Sequence, residues 1–377
     1  MSDIIPDAYA LRIAALRRVL RGAGLAAALF DEIEAMRWLS GYGSSLNRWR
    51  CLVVPVDAPP FILIRALDAG LCQRHAWVEE VIAYPDWEDP LPHLAAALAR
   101  RGIDRGALGY DGNSYAMTVA RFRALEAALP GLRLTDVGPL VNELRLVKAP
   151  DEIAALRRSA ATADEAMRRV AAASLPGATQ RDLARVAVDC YLECGADPSL
   201  PGPITAVSGW DFLHGETDDR PFAPDGMVHA ELTPRYGGYS ARIMRCIAIG
   251  PRDPAKARAA EILAELQDAQ IAAMRPGAIA EEVDAILRQG VVRAGLRDSY
   301  DNITGYTLGL YAPQTPRTSD FTRILHPGAR WAFEPGMVFH IYASAGGAAM
   351  SETVLVTDAA PELLTHTPRE LLQGGRG

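Results

Sequence analysis

Two segments one hundred residues apart read alike: Ala171-Ala172-Ala173-Ser174-Leu175-Pro176-Gly177-Ala178 and Ile271-Ala272-Ala273-Met274-Arg275-Pro276-Gly277-Ala278. Each closes a long stretch with apolar residues at helical spacing, breaks it at Pro-Gly, and opens a second amphipathic stretch that leads into strand-like segments. Self-similarity of this kind marks a duplicated supersecondary unit. The second half of the chain is therefore predicted to contain two related helix-helix-strand units.

The first half follows a different pattern. Residues 7–21 place apolar side chains at helical spacing up to Gly22. Short apolar runs at Leu25 to Phe30, Cys51 to Val56 and Phe61 to Ile64 are then followed by amphipathic stretches at Leu91 to Arg101 and Val119 to Leu129. Strands with covering helices, an α/β layer domain, are the expected result. The pattern ends near Leu144-Arg145-Leu146-Val147-Lys148-Ala149-Pro150, where Pro150 suits the first turn of a new helix. At 377 residues the chain exceeds the usual size of one hydrophobic core, so two domains are predicted, residues 1–148 and 149–377.

Within the second half, Glu231 and Arg242 stand eleven positions apart, followed by Gly305-Tyr306-Thr307-Leu308-Gly309, by Pro335-Gly336-Met337-Val338-Phe339-His340-Ile341-Tyr342, and by Met350-Ser351-Glu352-Thr353-Val354-Leu355-Val356-Thr357. These segments resemble the ligand-bearing segments of the pita-bread peptidases, the creatinase/prolidase-like family. There the slots hold two Asp, a His and two Glu. Here they hold Glu231, Arg242, Tyr306, Tyr342 and Ser351. The resemblance implies an α/β N-terminal domain followed by an α+β pita-bread domain, whose pseudo-twofold repeat faces across a curved antiparallel sheet. A divalent-cation pair needs several anionic oxygen ligands, which a guanidinium would oppose, so no metal is expected.

Further pieces resemble the metal-independent ectoine hydrolase branch of that family. Its first slot is also Glu, with an Arg fourteen positions on, as Arg245 is here. His214-Gly215-Glu216-Thr217-Asp218-Asp219-Arg220-Pro221-Phe222, Thr304 to Gly309, Phe339-His340 and Met350 to Thr353 match its other segments. His214 also stands seventeen residues before Glu231, the spacing of the catalytic His in creatinase, although creatinase has Glu where this chain has Met244.

The resemblance implies that Glu231 and Glu352 project from neighbouring strands into one cavity. Two close carboxylates raise each other's proton affinity, so one serves as acid and the other as base, with His214 completing the set. The competing reading has both forming ion pairs with Arg242 and Arg245. Tyr306, His340, Asp218, Asp219 and Arg242 are candidate substrate contacts. For each a plainer role stands beside it: strand packing for Tyr306, core burial for His340, loop capping for the two aspartates. Trp49 and Arg50 form an aromatic-basic cluster where creatinase-like dimers lend residues to the neighbour's site, which implies a homodimer whose N-terminal domain covers the partner's cavity.

Composition narrows the classes. A net charge of −7 gives no reason to expect nucleic acid or anionic membrane as partner. No apolar run is long enough to span a bilayer, and Met1 to Ala8 lacks signal-peptide regions, so a cytoplasmic location is expected. The five cysteines have no zinc spacing, and dinucleotide, Walker and nucleophile-elbow motifs are absent, so no cofactor is expected. The expected activity is metal-independent hydrolysis of a C–N bond in a small polar nitrogen compound, with an ectoine-like cyclic amidine favoured. An Xaa-Pro metallopeptidase and a catalytically dead binding protein are the rivals.

Overall fold

A computed structural model describes residues 6–45, 47–206, 213–312, 315, 317 and 319–375. The chain divides into two compact units, Met1–Arg145 and, chiefly, Leu146–Pro313 with Arg317–Gly377.

In the first unit the apolar runs become the strands Ala27–Phe30, Cys51–Pro55 and Phe61–Arg65, all buried along most of their length. With Glu80–Tyr84, Gly106–Tyr110 and Leu132–Asp136 they form a mixed six-stranded sheet. The amphipathic stretches become Pro90–Ala99 and Val119–Ala128, capped by the side chains of Asp89 and Thr118. Fully buried Val53, Phe61, Leu63, Leu94 and Leu125 form one core between these helices and the sheet.

The second unit shows the duplication. The first copy supplies helices Pro150–Ala173 and Gln180–Glu193, the second Pro254–Ala272 and Ala280–Arg293. The Pro-Gly turns do the same job in both. Gly177 and Gly277 take φ of 86° and 84°, a left-handed conformation that costs glycine little. Gly177 N–H donates to the Phe222 carbonyl while Phe222 N–H returns to Ala178, and Gly277, Phe333 and Ala278 repeat the exchange.

The strands that follow join one antiparallel path in the order Asp320–Leu325, Gly305–Thr307, Val338–Ala345, Ala348–Leu355, Ile243–Ala248, Met227–Leu232, Ile204–Ala206. Because strand side chains alternate, each strand has two destinies. Val228, Ala230, Leu232, Ile243 and Ile247 pack with the first helix pair, and Phe339, Ile341 and Val354 join the core of the second. The pairing Ile341↔Glu352 and the step Met244↔Ser351 put all these residues on one face, covered by both helix pairs. Each fully buried Val or Leu there stabilises the fold by about 1.5–3 kcal/mol. The other face carries Glu231, Ser351, Tyr342 and His340 beside the apolar Met244.

Candidate active site

The register defines that second face row by row. Glu231 pairs with Met244, Met244 with Ser351, and Ser351 with Tyr342. One row further on, Tyr306 pairs with His340 and His340 with Thr353, whose Oγ1 accepts from Arg242 N–H and donates to the Arg242 carbonyl. Glu231, Arg242, Tyr306, Tyr342, His340 and Ser351 thus share one surface. Glycine guards its backbone at one point. Gly202 has φ of 105°, and a Cβ there would meet the Glu231 carbonyl oxygen at 2.0 Å, so any larger residue would push this strand away.

A hydrogen-bonded line crosses the surface. Arg242 Nη1 lies 3.3 Å from Glu231 Oε1 and donates to the Tyr306 hydroxyl at 2.8 Å, which in turn stands 2.8 Å from His340 Nδ1. Every member is at most 5% exposed. The guanidinium also lies 5.6 and 5.7 Å from the ring centres of Tyr306 and Tyr311. Burial, then the charge of Arg242, holds His340 well below the usual histidine pKa, so its imidazole is neutral. Burial raises the Tyr306 phenol, which stays protonated.

The structure corrects the placement expected for Glu352. It is the neighbour of Ser351 on a strand, so its side chain points to the helix-covered face, away from Glu231. There Glu352 Oε1 accepts from Arg245 Nη2 at 2.5 Å, Oε2 accepts from the Thr365 hydroxyl, and Arg369 Nε stands 3.8 Å off. Burial raises its pKa against the pull of Arg245. The two carboxylates do not share a cavity. Each has its own arginine, as the competing reading had it.

The remaining candidates fall in different places. His214 is exposed, and its electrostatic interaction with His229 adds to burial in lowering His229 to about 3. His229 itself was not singled out from the sequence. It lies two residues before Glu231 on one strand, hence on the same face, fully buried opposite Thr205 and Cys246, and the period of two would have found it. Asp218 turns back on its own loop, accepting from Arg220 N and Nε at 2.7 and 2.6 Å, and Asp219 pairs with Arg181 at 2.5 Å on the surface. Asp218 carries the plain loop-capping role, and Asp219 forms a surface ion pair instead. Trp49 is not an exposed cluster residue: its indole joins the first unit's core, donates to Asp31 at 2.9 Å and is stacked by Arg121. Arg50 is likewise buried, 4% exposed.

A cavity of about 840 Å³ opens elsewhere, against helix Pro150–Ala173 and the C-terminal segment. Its charges are already matched, Arg157 with Glu362 and Arg168 with Glu165, both at 2.7 Å.

The side chains at the metal slots do not fit a cation pair. Glu231 is the one carboxylate among the five slots, its oxygen is already held by a guanidinium, and among the described residues no three His, Cys, Asp or Glu gather as a ligand group.

Comparison with known proteins agrees with this architecture. Residues 154–358 match metallopeptidase family M24 and residues 12–147 match the creatinase/prolidase N-terminal domain. The chain belongs to family M24. It is 28% identical to the probable dipeptidase PepE of Mycobacterium tuberculosis, over 97% of this chain and 96% of the relative. It is 26% identical to the ectoine hydrolase of Halomonas elongata, over 97% of each. The crystal structure of dipeptidase PepE from Mycobacterium ulcerans aligns with a TM-score of 0.83 at 25% identity, covering 98% of this chain and 99% of that one. The dipeptidase matches at slightly higher identity than the ectoine hydrolase, so the ectoine branch is not singled out. Among the described residues no helix is long and apolar enough to cross a membrane.

Proposed function

We propose that this chain hydrolyses a C–N bond in a small dipeptide-like compound on the face bearing Glu231, and does so without a divalent-cation pair. The observation that carries the reading is the buried line Glu231–Arg242–Tyr306–His340, which fills three of the metal slots with a fixed ion pair and a phenol, backed by a neutral imidazole. Dipeptidase relatives spanning nearly the whole chain favour a peptide-like substrate over a cyclic amidine. In this reading Glu231 is the base that takes a proton from the attacking water and later returns it to the leaving nitrogen. Glu352, on the other face, takes no part.

A second reading, a binding protein that no longer turns over its ligand, draws on one observation: the second carboxylate is withdrawn to the helix face. Turnover separates the two. The purified protein, dialysed against a chelator and assayed with Xaa-Pro and other dipeptides and with cyclic amidines such as ectoine, is expected to cleave a dipeptide at a rate unchanged by added Mn²⁺ or Zn²⁺. Activity that appears only with added metal would overturn the metal-free part. No cleavage of any compound, with tight dipeptide binding, would establish the second reading.

A further inference from the structure

Three buried polar atoms on the site face meet no hydrogen-bonding partner: Arg242 Nε, His340 Nε2 and Ser351 Oγ. Leaving such groups unsatisfied costs about 1–3 kcal/mol each, so three together call for an explanation. They belong to two adjacent rows of one sheet. His340, Thr353 and Arg242 share the first, and Tyr342, Ser351, Met244 and Glu231 the second. Neighbouring rows on one face lie about 7 Å apart, within reach of one small molecule.

The three atoms share a polarity. Arg242 Nε is a donor only, a serine hydroxyl can donate, and the neutral His340 ring carries its proton on Nε2 in the tautomer whose Nδ1 accepts from the Tyr306 hydroxyl, the tautomer this assignment requires. Arg242 spends only Nη1, on Glu231 and Tyr306. Its Nε–Nη2 edge, the side of a guanidinium that meets an oxyanion bidentately, is left for something else.

We propose that Arg242 supplies the fixed positive charge that metal ions supply in metal-bearing hydrolases. Its Nε–Nη2 edge, with Ser351 Oγ and His340 Nε2, receives the carbonyl oxygen of the scissile amide. This rests on the hydrolytic reading above. Water attacks the carbonyl carbon and forms the new C–O bond, its proton passes to Glu231, and the C=O π pair moves onto the oxygen facing Arg242. The intermediate collapses as the C–N bond breaks, and the proton on Glu231 leaves with the nitrogen. Charge stays balanced throughout. Before attack the guanidinium faces the Glu231 carboxylate, and afterwards it faces the oxyanion while Glu231 is neutral. A buried site tolerates this exchange far better than the creation of net charge.

The test uses the whole protein. Arg242→Gln is expected to lower kcat about 10²–10³-fold with KM within a few-fold of wild type, the loss typical of removing an oxyanion donor. Arg242→Ala should regain part of that rate on addition of guanidinium chloride but none with Zn²⁺ or Mn²⁺. Because either variant can fail to fold, a second measurement uses the unaltered chain. A phosphinic isostere of alanyl-alanine should bind by calorimetry about 10²-fold or more tighter than the dipeptide, as transition-state analogues do. Its binding should take up close to one proton, seen by comparing buffers of different ionisation enthalpy. Near wild-type kcat in folded Arg242→Gln, or an isostere bound no tighter than the dipeptide, overturns the assignment while leaving the hydrolytic reading in place. Tight isostere binding with proton uptake but no turnover of any dipeptide overturns the hydrolytic reading and the catalytic role of Arg242 with it, leaving the Nε–Nη2 edge as an oxyanion-binding site alone.

Discussion

Two buried glutamate–arginine pairs lie on opposite faces of the same sheet, and they are built to different ends. On the helix side Arg245 spends all five of its N–H donors: Nε on the Pro368 carbonyl, Nη1 on the Met244 and Ser351 carbonyls, Nη2 on Glu352 and the Thr367 carbonyl. It ties two central strands to the C-terminal segment. On the site side Arg242 spends Nη1 alone, and its partner Glu231 is held at the looser 3.3 Å. A saturated guanidinium is a fastener. One with an idle edge is suited to bind something that is not always there.

The sharpest break of this comparison is to neutralise the glutamate of each pair in turn. Glu231→Gln is expected to lower kcat about 10²–10⁴-fold with an unchanged thermal transition, the usual scale for losing a positioned base. Glu352→Gln should hold kcat in the folded protein while shifting the unfolding midpoint. The opposite pattern, with turnover lost at Glu352 and kept at Glu231, would return the chemistry to the helix face.

The next effect is on stability alone. Arg245→Met strands the buried carboxylate of Glu352 and leaves the Ser351 and Thr367 carbonyls without their donor, and breaking a buried pair this way costs about 3–5 kcal/mol. Urea unfolding followed by circular dichroism measures it. Arg242→Met removes fewer bonds and should cost less, so equal losses for the two variants would erase the distinction between fastener and idle edge.

Much of this was legible in the sequence, and the limits have physical causes. Pro-Gly at residues 176–177 and 276–277 stops a helix wherever it falls, so the duplicated helix pairs could be read before any contact was known. The apolar runs near residues 27, 51 and 61 became strands for the same local reason. Glu352 was misplaced because likeness to the ectoine branch outweighed alternation. Ser351 fills the ligand slot, so the very next side chain must face away. The same alternation, counted back from Glu231, points to His229. Trp49 was beyond reach, because nothing local to the Arg-Trp-Arg stretch announces that Asp31 and Arg121 will enclose the indole.

The mildest effect separates the faces by pH. His229 and His340 are buried neutral on the site face, the first lowered to about 3 by burial and His214, the second held well below 6.5 by burial and Arg242. Above pH 6.5 neither state of the chain protonates them and they leave stability unchanged. As pH falls below 6.5 the unfolded chain takes up protons that the folded chain refuses, so folding stability falls with pH, by about 1.4 kcal/mol per pH unit for each histidine. For His229 the loss continues down to about pH 3, where the folded form begins to protonate too. Unfolding free energies from urea titrations at pH 7.5, 6.0 and 5.0 should therefore decline for the wild type. In His229→Gln the decline between pH 6.0 and 5.0 should be shallower by close to one histidine's share. An identical slope in the variant would mean that His229 is already protonated or solvated in the fold, and the site face would then be wetter than its burial implies.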